Sequence, residues 1–138
     1  MHRLYIMIFR MKNRTLILGD VLAIALLTII GFATHGETDL SFLPRMAALF
    51  FPLLVAWFVL APSMRLFDSQ ITSDPKQLWR PILAMTFAAS LAAILRGLIL
   101  NAAILPIFGL VLAGTSAFGM LAWRAVYLVL HRKGSETR

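Results

Sequence analysis

Cysteine is absent from the 138 residues. That excludes disulfides, thiolate metal sites and cysteine nucleophiles, and it leaves the redox compartment open. Charge is scarce as well: 14% of the residues are Asp, Glu, Lys or Arg, and only six of them are acidic. Long polar stretches are missing, the largest being about 17 residues from Pro62 to Leu78, which leaves no room for a separate catalytic domain. No glycine-rich phosphate loop and no HExxH motif occurs. The three histidines are His2, His35 and His131, two of them close to the chain ends. No catalytic residue, metal site or cofactor is therefore expected, and no enzymatic activity, with membrane-embedded catalysis as the alternative.

What is present is apolar. Sixty per cent of the residues are hydrophobic and the mean hydropathy is +0.85. A soluble domain of this size cannot hide so much apolar surface, because small globules keep a large share of their residues exposed. The surplus requires lipid as solvent. Four continuous apolar segments, about 16–34, 44–62, 79–100 and 105–130, are each long enough to cross a hydrocarbon core of about 30 Å at about 1.5 Å per residue. They lack the alternation of a barrel wall, and helices satisfy every backbone group internally. The expected fold is all-α: a single four-helix transmembrane bundle over 16–130, flanked by basic tails at 1–15 and 131–138. Ser41, Pro44 and Pro106 suit helix starts. Pro62 should end the second span and Pro52 should kink it. Trp79 and Trp57 suit interfacial depth, and Trp57 suits the core equally.

The basic residues set the orientation. Arg3, Arg10, Lys12 and Arg14 precede the first span, Arg65, Lys76 and Arg80 lie between the second and third, and Arg132, Lys133 and Arg138 follow the fourth. Only Arg45 stands on the other side, near Glu37 and Asp39. Ten against one is a strong positive-inside bias, so both termini are expected in the cytoplasm of a cell whose cytoplasmic membrane holds the protein. The net charge of +7 thus serves topology, and no nucleic-acid partner is expected. A cleaved signal peptide ending at Gly31-Phe32-Ala33 is disfavoured, since the apolar run is too long and contains Asp20. Residues 1–10 precede the compact flank that begins at Met11, and they read as an amphipathic stub or as an overlong start.

Few polar groups lie within the spans. Asp20 is about one turn in from the start of the first span, and Arg124 is about 9 Å from the same face on the fourth. An unpaired charge at mid-bilayer costs about 2.5–3.5 kcal/mol, so an Asp20–Arg124 ion pair is expected. A swap of Asp20→Arg with Arg124→Asp would then restore what either single change loses. A carboxylate near a helix start also gains from the helix dipole. Arg96, His35, Glu37 and Asn101 form an expected outer polar layer, in which Arg96 reaches Glu37, reaches the groups around His35, or snorkels to water. In the third span Ala84, Ala88 and Ala92 make one small-residue stripe, and Ala89, Ala93 and Gly97 another. Such stripes let backbones approach closely, in a central helix or at an oligomer interface.

Gly19-Asp20, His35-Gly36, Phe51-Pro52 with Trp57, Arg96 and Trp123-Arg124 together resemble the domain of unknown function 3054 family, from about Leu16 to Leu130. The resemblance implies small four-helix membrane proteins and brings no reaction, substrate or cofactor. Two functional readings are carried forward. The preferred one is a small oligomeric transporter or channel lined by the intramembrane Asp and Arg groups. The other is a membrane scaffold or accessory subunit whose Asp20–Arg124 pair is structural and whose partner is another membrane protein or a second copy.

Overall fold

A computed structural model describes residues 2–37 and 39–136, with side chains for Arg3, 14–37 and 39–131. The expectations for His2, Arg10, Lys12, Arg132, Lys133 and Arg138 as charged groups lie outside the described side chains. The elements are α1 (His2–Thr34), α2 (Leu43–Ser63), α3 (Ser69–Thr72), α4 (Trp79–Leu100) and α5 (Pro106–Glu136). Single 3-10 turns, Leu40–Phe42 and Pro75–Gln77, precede α2 and α4. Four helical stretches are long and apolar enough to cross a membrane: Arg14–Thr34, Leu40–Ser63, Pro75–Leu100 and Pro106–His131.

The first helix starts well before the first expected span. The backbone is already helical at His2, so α1 measures 33 residues. At about 1.5 Å per residue that is about 50 Å, and the helix runs on past its membrane-length part. The described boundary at Thr34 agrees with the one expected. Pro44 and Pro106 open α2 and α5, where a missing N–H leaves nothing unpaired. α2 continues through Pro52 and ends one residue past Pro62.

Three helices stop in the same way, with a left-handed residue whose successor bonds back into the last turn. Gly36 does this for α1 (φ 73°), Arg65 after α2 (φ 58°) and Asn101 after α4 (φ 49°). The paired bonds are Glu37 N–H to Phe32 O and Gly36 to Ala33, Leu66 to Ala61 and Arg65 to Pro62, and Ala102 to Gly97 and Asn101 to Leu98. Glycine and asparagine suit that conformation. Arginine does not, and Arg65 is held there by the chain around it.

The four long helices form a ring in the order α1, α2, α4, α5, each touching its two neighbours. Asp20 meets Arg124 while Leu27 lies against Gly119, so α1 and α5 run antiparallel. The end holding the start of α1 and the finish of α5 is here the tail end, and the opposite one the far end. Both small-residue stripes of α4 are buried, from Ala84 to Gly97, between α2 and α5. They are used up inside the bundle, which makes α4 the central contact helix. Leu18, Leu22, Leu26 and Ile30 are exposed on α1, whereas Asp20 and Arg124 are buried. Apolar outside and ionic inside is the arrangement that lipid stabilises.

Candidate functional site

Asp20 is placed by a ridge of α1. Leu16, Asp20, Ile24, Thr28 and Phe32 recur every four residues and all are buried, since such positions share one helix face. The Asp20 carboxylate is 0% exposed and Arg124 only 4%. Oδ2 accepts from Arg124 Nη2 at 2.7 Å and from Trp57 Nε1 at 3.0 Å. Oδ1 accepts from Trp123 Nε1 at 2.8 Å and from Arg124 Nε at 3.1 Å. The contact is a bidentate fork, the strongest form of carboxylate–guanidinium pairing. The remaining nitrogen, Arg124 Nη1, donates to the Leu66 carbonyl at 2.7 Å. The rings of Trp57 and Phe67 flank the guanidinium, 5.7 and 5.6 Å from its central carbon.

Four segments therefore converge on one ion pair: α1, α2, the turn after α2, and α5. The turn contributes because left-handed Arg65 swings Leu66 inward, where its side chain is buried and its carbonyl faces Arg124. Close approach does the rest. A Cβ at Gly19 would overlap the Trp123 indole, so only glycine lets α5 come near enough for Trp123 to reach Asp20. One alternative left open by the sequence is decided and one expectation is corrected. Trp57 is fully buried and belongs to the core, because its indole N–H has a carboxylate to satisfy. The helix dipole does not act on Asp20, because α1 begins about five turns earlier and that effect fades within the first turn.

At the far end a crevice of about 450 Å³ opens between α1, α2, α4 and α5. His35, Glu37 and Arg96 all line it, as expected for an outer layer, but they are not bonded to one another. The Arg96 guanidinium lies over the Phe108 ring at 4.9 Å, and its Nε is buried without a hydrogen-bond partner. Glu37 and Arg45 are the charges near enough to act on it electrostatically. Asn101 stands apart from the crevice lining. It is exposed and serves to end α4. The crevice lining includes no member of the Asp20 cluster. Among the described residues, no group of three His, Asp or Glu side chains is placed to hold a metal ion.

A family model matches residues 17–127, about four-fifths of the chain. The chain belongs to the family described as "Protein of unknown function (DUF3054)". The matched stretch contains Asp20, Trp57, Arg96, Trp123 and Arg124, so the DUF3054 region carries the whole ion-pair cluster and the Arg96 crevice wall. Neither the curated proteins nor the solved structures compared with the chain gave a match.

The sequence reading missed the indole donors, the Leu66 carbonyl and Ser116. For the indoles a signal exists. Trp57 lies six residues before the end of α2 and Trp123 adjoins Arg124, so the depth argument that paired Asp20 with Arg124 puts both indoles in the same layer.

Proposed function

We propose that this protein is a multi-pass scaffold or accessory subunit of the cytoplasmic membrane, with both termini in the cytoplasm and the Asp20–Arg124 pair as a structural clamp. The ten-to-one distribution of Lys and Arg supports the orientation. One observation carries the clamp. Both oxygens of the carboxylate are occupied by four N–H donors, and no member of the cluster lines the crevice. A group that relays protons or ions needs an open position and a path to water. In this reading no reaction is assigned to the chain, its partner is another membrane protein or a second copy, and nucleic acid plays no part.

The test is proton and ion flux in proteoliposomes, for the native chain and for Asp20→Asn. The scaffold reading predicts background flux in both. Flux in the native chain that disappears with Asp20→Asn would overturn it. Reporter fusions at the two ends test the orientation, and opposite-side signals would sink it.

A second reading, a small oligomeric transporter, is favoured by the asymmetry of the bundle. The crevice lies at the far end and stops short of the clamp, as in a carrier open to one face and sealed at the other. That reading requires the clamp to part in each cycle. Cross-linking Gly119→Cys to Leu27→Cys would then abolish substrate uptake, whereas a scaffold would keep its function.

A further inference from the structure

The far-end crevice holds two polar atoms that the fold leaves without partners. Ser116 is 1% exposed, and its Oγ has no hydrogen-bond partner. Other hydroxyls in these helices do not share that fate. Thr28, Thr86, Ser90 and Thr115 each donate to the carbonyl four residues back, the usual resort of a hydroxyl in an apolar helix. The second atom is Nε of Arg96. Both residues line the same crevice, whose walls are otherwise mostly aliphatic, with Leu27, Leu53, Ile104 and Val111 among them. Its volume of about 450 Å³ falls within the about 300–1,000 Å³ typical of small-molecule sites.

Buried polar atoms normally find partners, and leaving them unpaired is destabilising. Two such atoms in one cavity of ligand size mark the places where a ligand's own polar atoms belong. The charge follows from the surroundings. Arg96 has Glu37 and Arg45 as charged neighbours, so the cluster is net cationic by one. Glu37 lines the crevice too, beside exposed His35, and it disfavours an anion held next to it. The length follows from register. Gly109 lies opposite Ala93 where α4 and α5 cross, and Phe108, under the Arg96 guanidinium, is next to it. Ser116 is eight residues deeper than Phe108 on α5, about 12 Å at about 1.5 Å per residue.

We propose that this crevice binds a small organic anion with an apolar body, its carboxylate or phosphate held by Arg96 and an acceptor about 12 Å away held by the Ser116 hydroxyl. The anionic group belongs either to a free organic acid or to the head of an anionic lipid. The chemistry is the same: a charge-assisted bond to guanidinium at one end and a neutral hydrogen bond at the other. The inference rests on the crevice and is independent of the clamp. Its failure leaves the scaffold reading in place, and failure of the flux test leaves this site in place.

The experiment is ligand titration of the full chain in phosphatidylcholine nanodiscs, with octanoate, ω-hydroxyoctanoate and octanol as probes, read by calorimetry and thermal unfolding. Both acids are expected to bind and octanol is not. The ω-hydroxy acid should bind about threefold or more tighter, the effect of one neutral hydrogen bond. Arg96→Gln should weaken both acids by about tenfold or more, with Arg96→Lys retaining part of the affinity. Ser116→Ala should erase only the preference for the ω-hydroxy acid, and without ligand it should unfold at a higher temperature than the native chain. That rise separates loss of a contact from damage to the fold.

Replacing part of the lipid with phosphatidylglycerol identifies the source. A lipid head in the site would raise the unfolding temperature of the native chain but not of Arg96→Gln, and would displace octanoate. A free acid as ligand leaves octanoate binding unchanged. The proposal is overturned if octanol protects as well as the acids, if Arg96→Gln binds them like the native chain, or if neither the acids nor phosphatidylglycerol protect through Arg96.

Discussion

Arg124 and Arg96 are the same side chain set into adjacent helices of one bundle, and they meet opposite surroundings. Arg124 is almost fully buried, and its Nε, Nη1 and Nη2 each have an acceptor, two of the bonds going to Asp20. Arg96 is half-buried, without an ion pair among the described residues, and rests on an aromatic face. The difference lies less in the arginines than in what their neighbours can supply. At the tail end a carboxylate, two indoles and a turned carbonyl converge. At the far end the helices leave a crevice with mostly aliphatic walls. A buried charge without a partner is costly, so the first arginine is tied to the fold and the second is left with spare valence.

The contrast can be broken most directly by removing each guanidinium in turn. Arg124→Met leaves the Asp20 carboxylate buried and unpaired, and a loss of about 3–5 kcal/mol is expected. Arg96→Met should change stability by under about 1 kcal/mol, because no buried carboxylate loses its partner. Reversible unfolding in detergent measures both, and equal losses would erase the distinction. The charge swap expected from sequence to restore stability now has a physical objection. It would set a guanidinium against two indole N–H donors and a carboxylate against the Leu66 carbonyl, so recovery by Asp20→Arg with Arg124→Asp should be minor.

A smaller effect sharpens the role of close packing. Gly19→Ala forces the Trp123 ring away from Asp20, and a loss of about 1–3 kcal/mol is expected from overpacking. Gly31→Ala, where the added carbon meets nothing, serves as the control and should be near neutral or stabilising. Trp57→Phe keeps an aromatic ring but deletes one N–H donor to the carboxylate, for an expected loss of about 1.5–3 kcal/mol, to which the cavity left by the smaller ring adds. The smallest change goes the other way. Arg65→Gly relieves a left-handed arginine and should stabilise the chain by about 1 kcal/mol, less whatever the exposed Arg65–Asp68 pair contributes. Were it destabilising, the pair rather than the turn geometry would be what holds Leu66 in place.

Depth along a helix was readable from sequence, and much follows from depth. Counting residues from the span ends put Asp20 and Arg124 in one layer, and His35, Glu37 and Arg96 at the other end. The proline positions located the starts of α2 and α5. Rotation about the helix axis and the paths of turns were much harder to read. Ser116 looks like any serine in an Ala- and Gly-rich helix until its buried hydroxyl is found without a partner. The Leu66 carbonyl has no signature, because its direction depends on a left-handed arginine that no propensity favours. Residues 1–10, which read as an amphipathic stub or as an overlong start, are helical from His2.

By itself the sequence determined the number of membrane-length helices and the positions of Asp20, Arg96 and Arg124 along them, because apolar length and residue count are one-dimensional quantities. Only the tertiary structure decided which donors close around Asp20 and which polar atoms remain unpaired beside Arg96. Those outcomes depend on the rotation of each helix and on separations of about an ångström, and a Cβ at Gly19 or a left-handed turn at Arg65 is enough to change them.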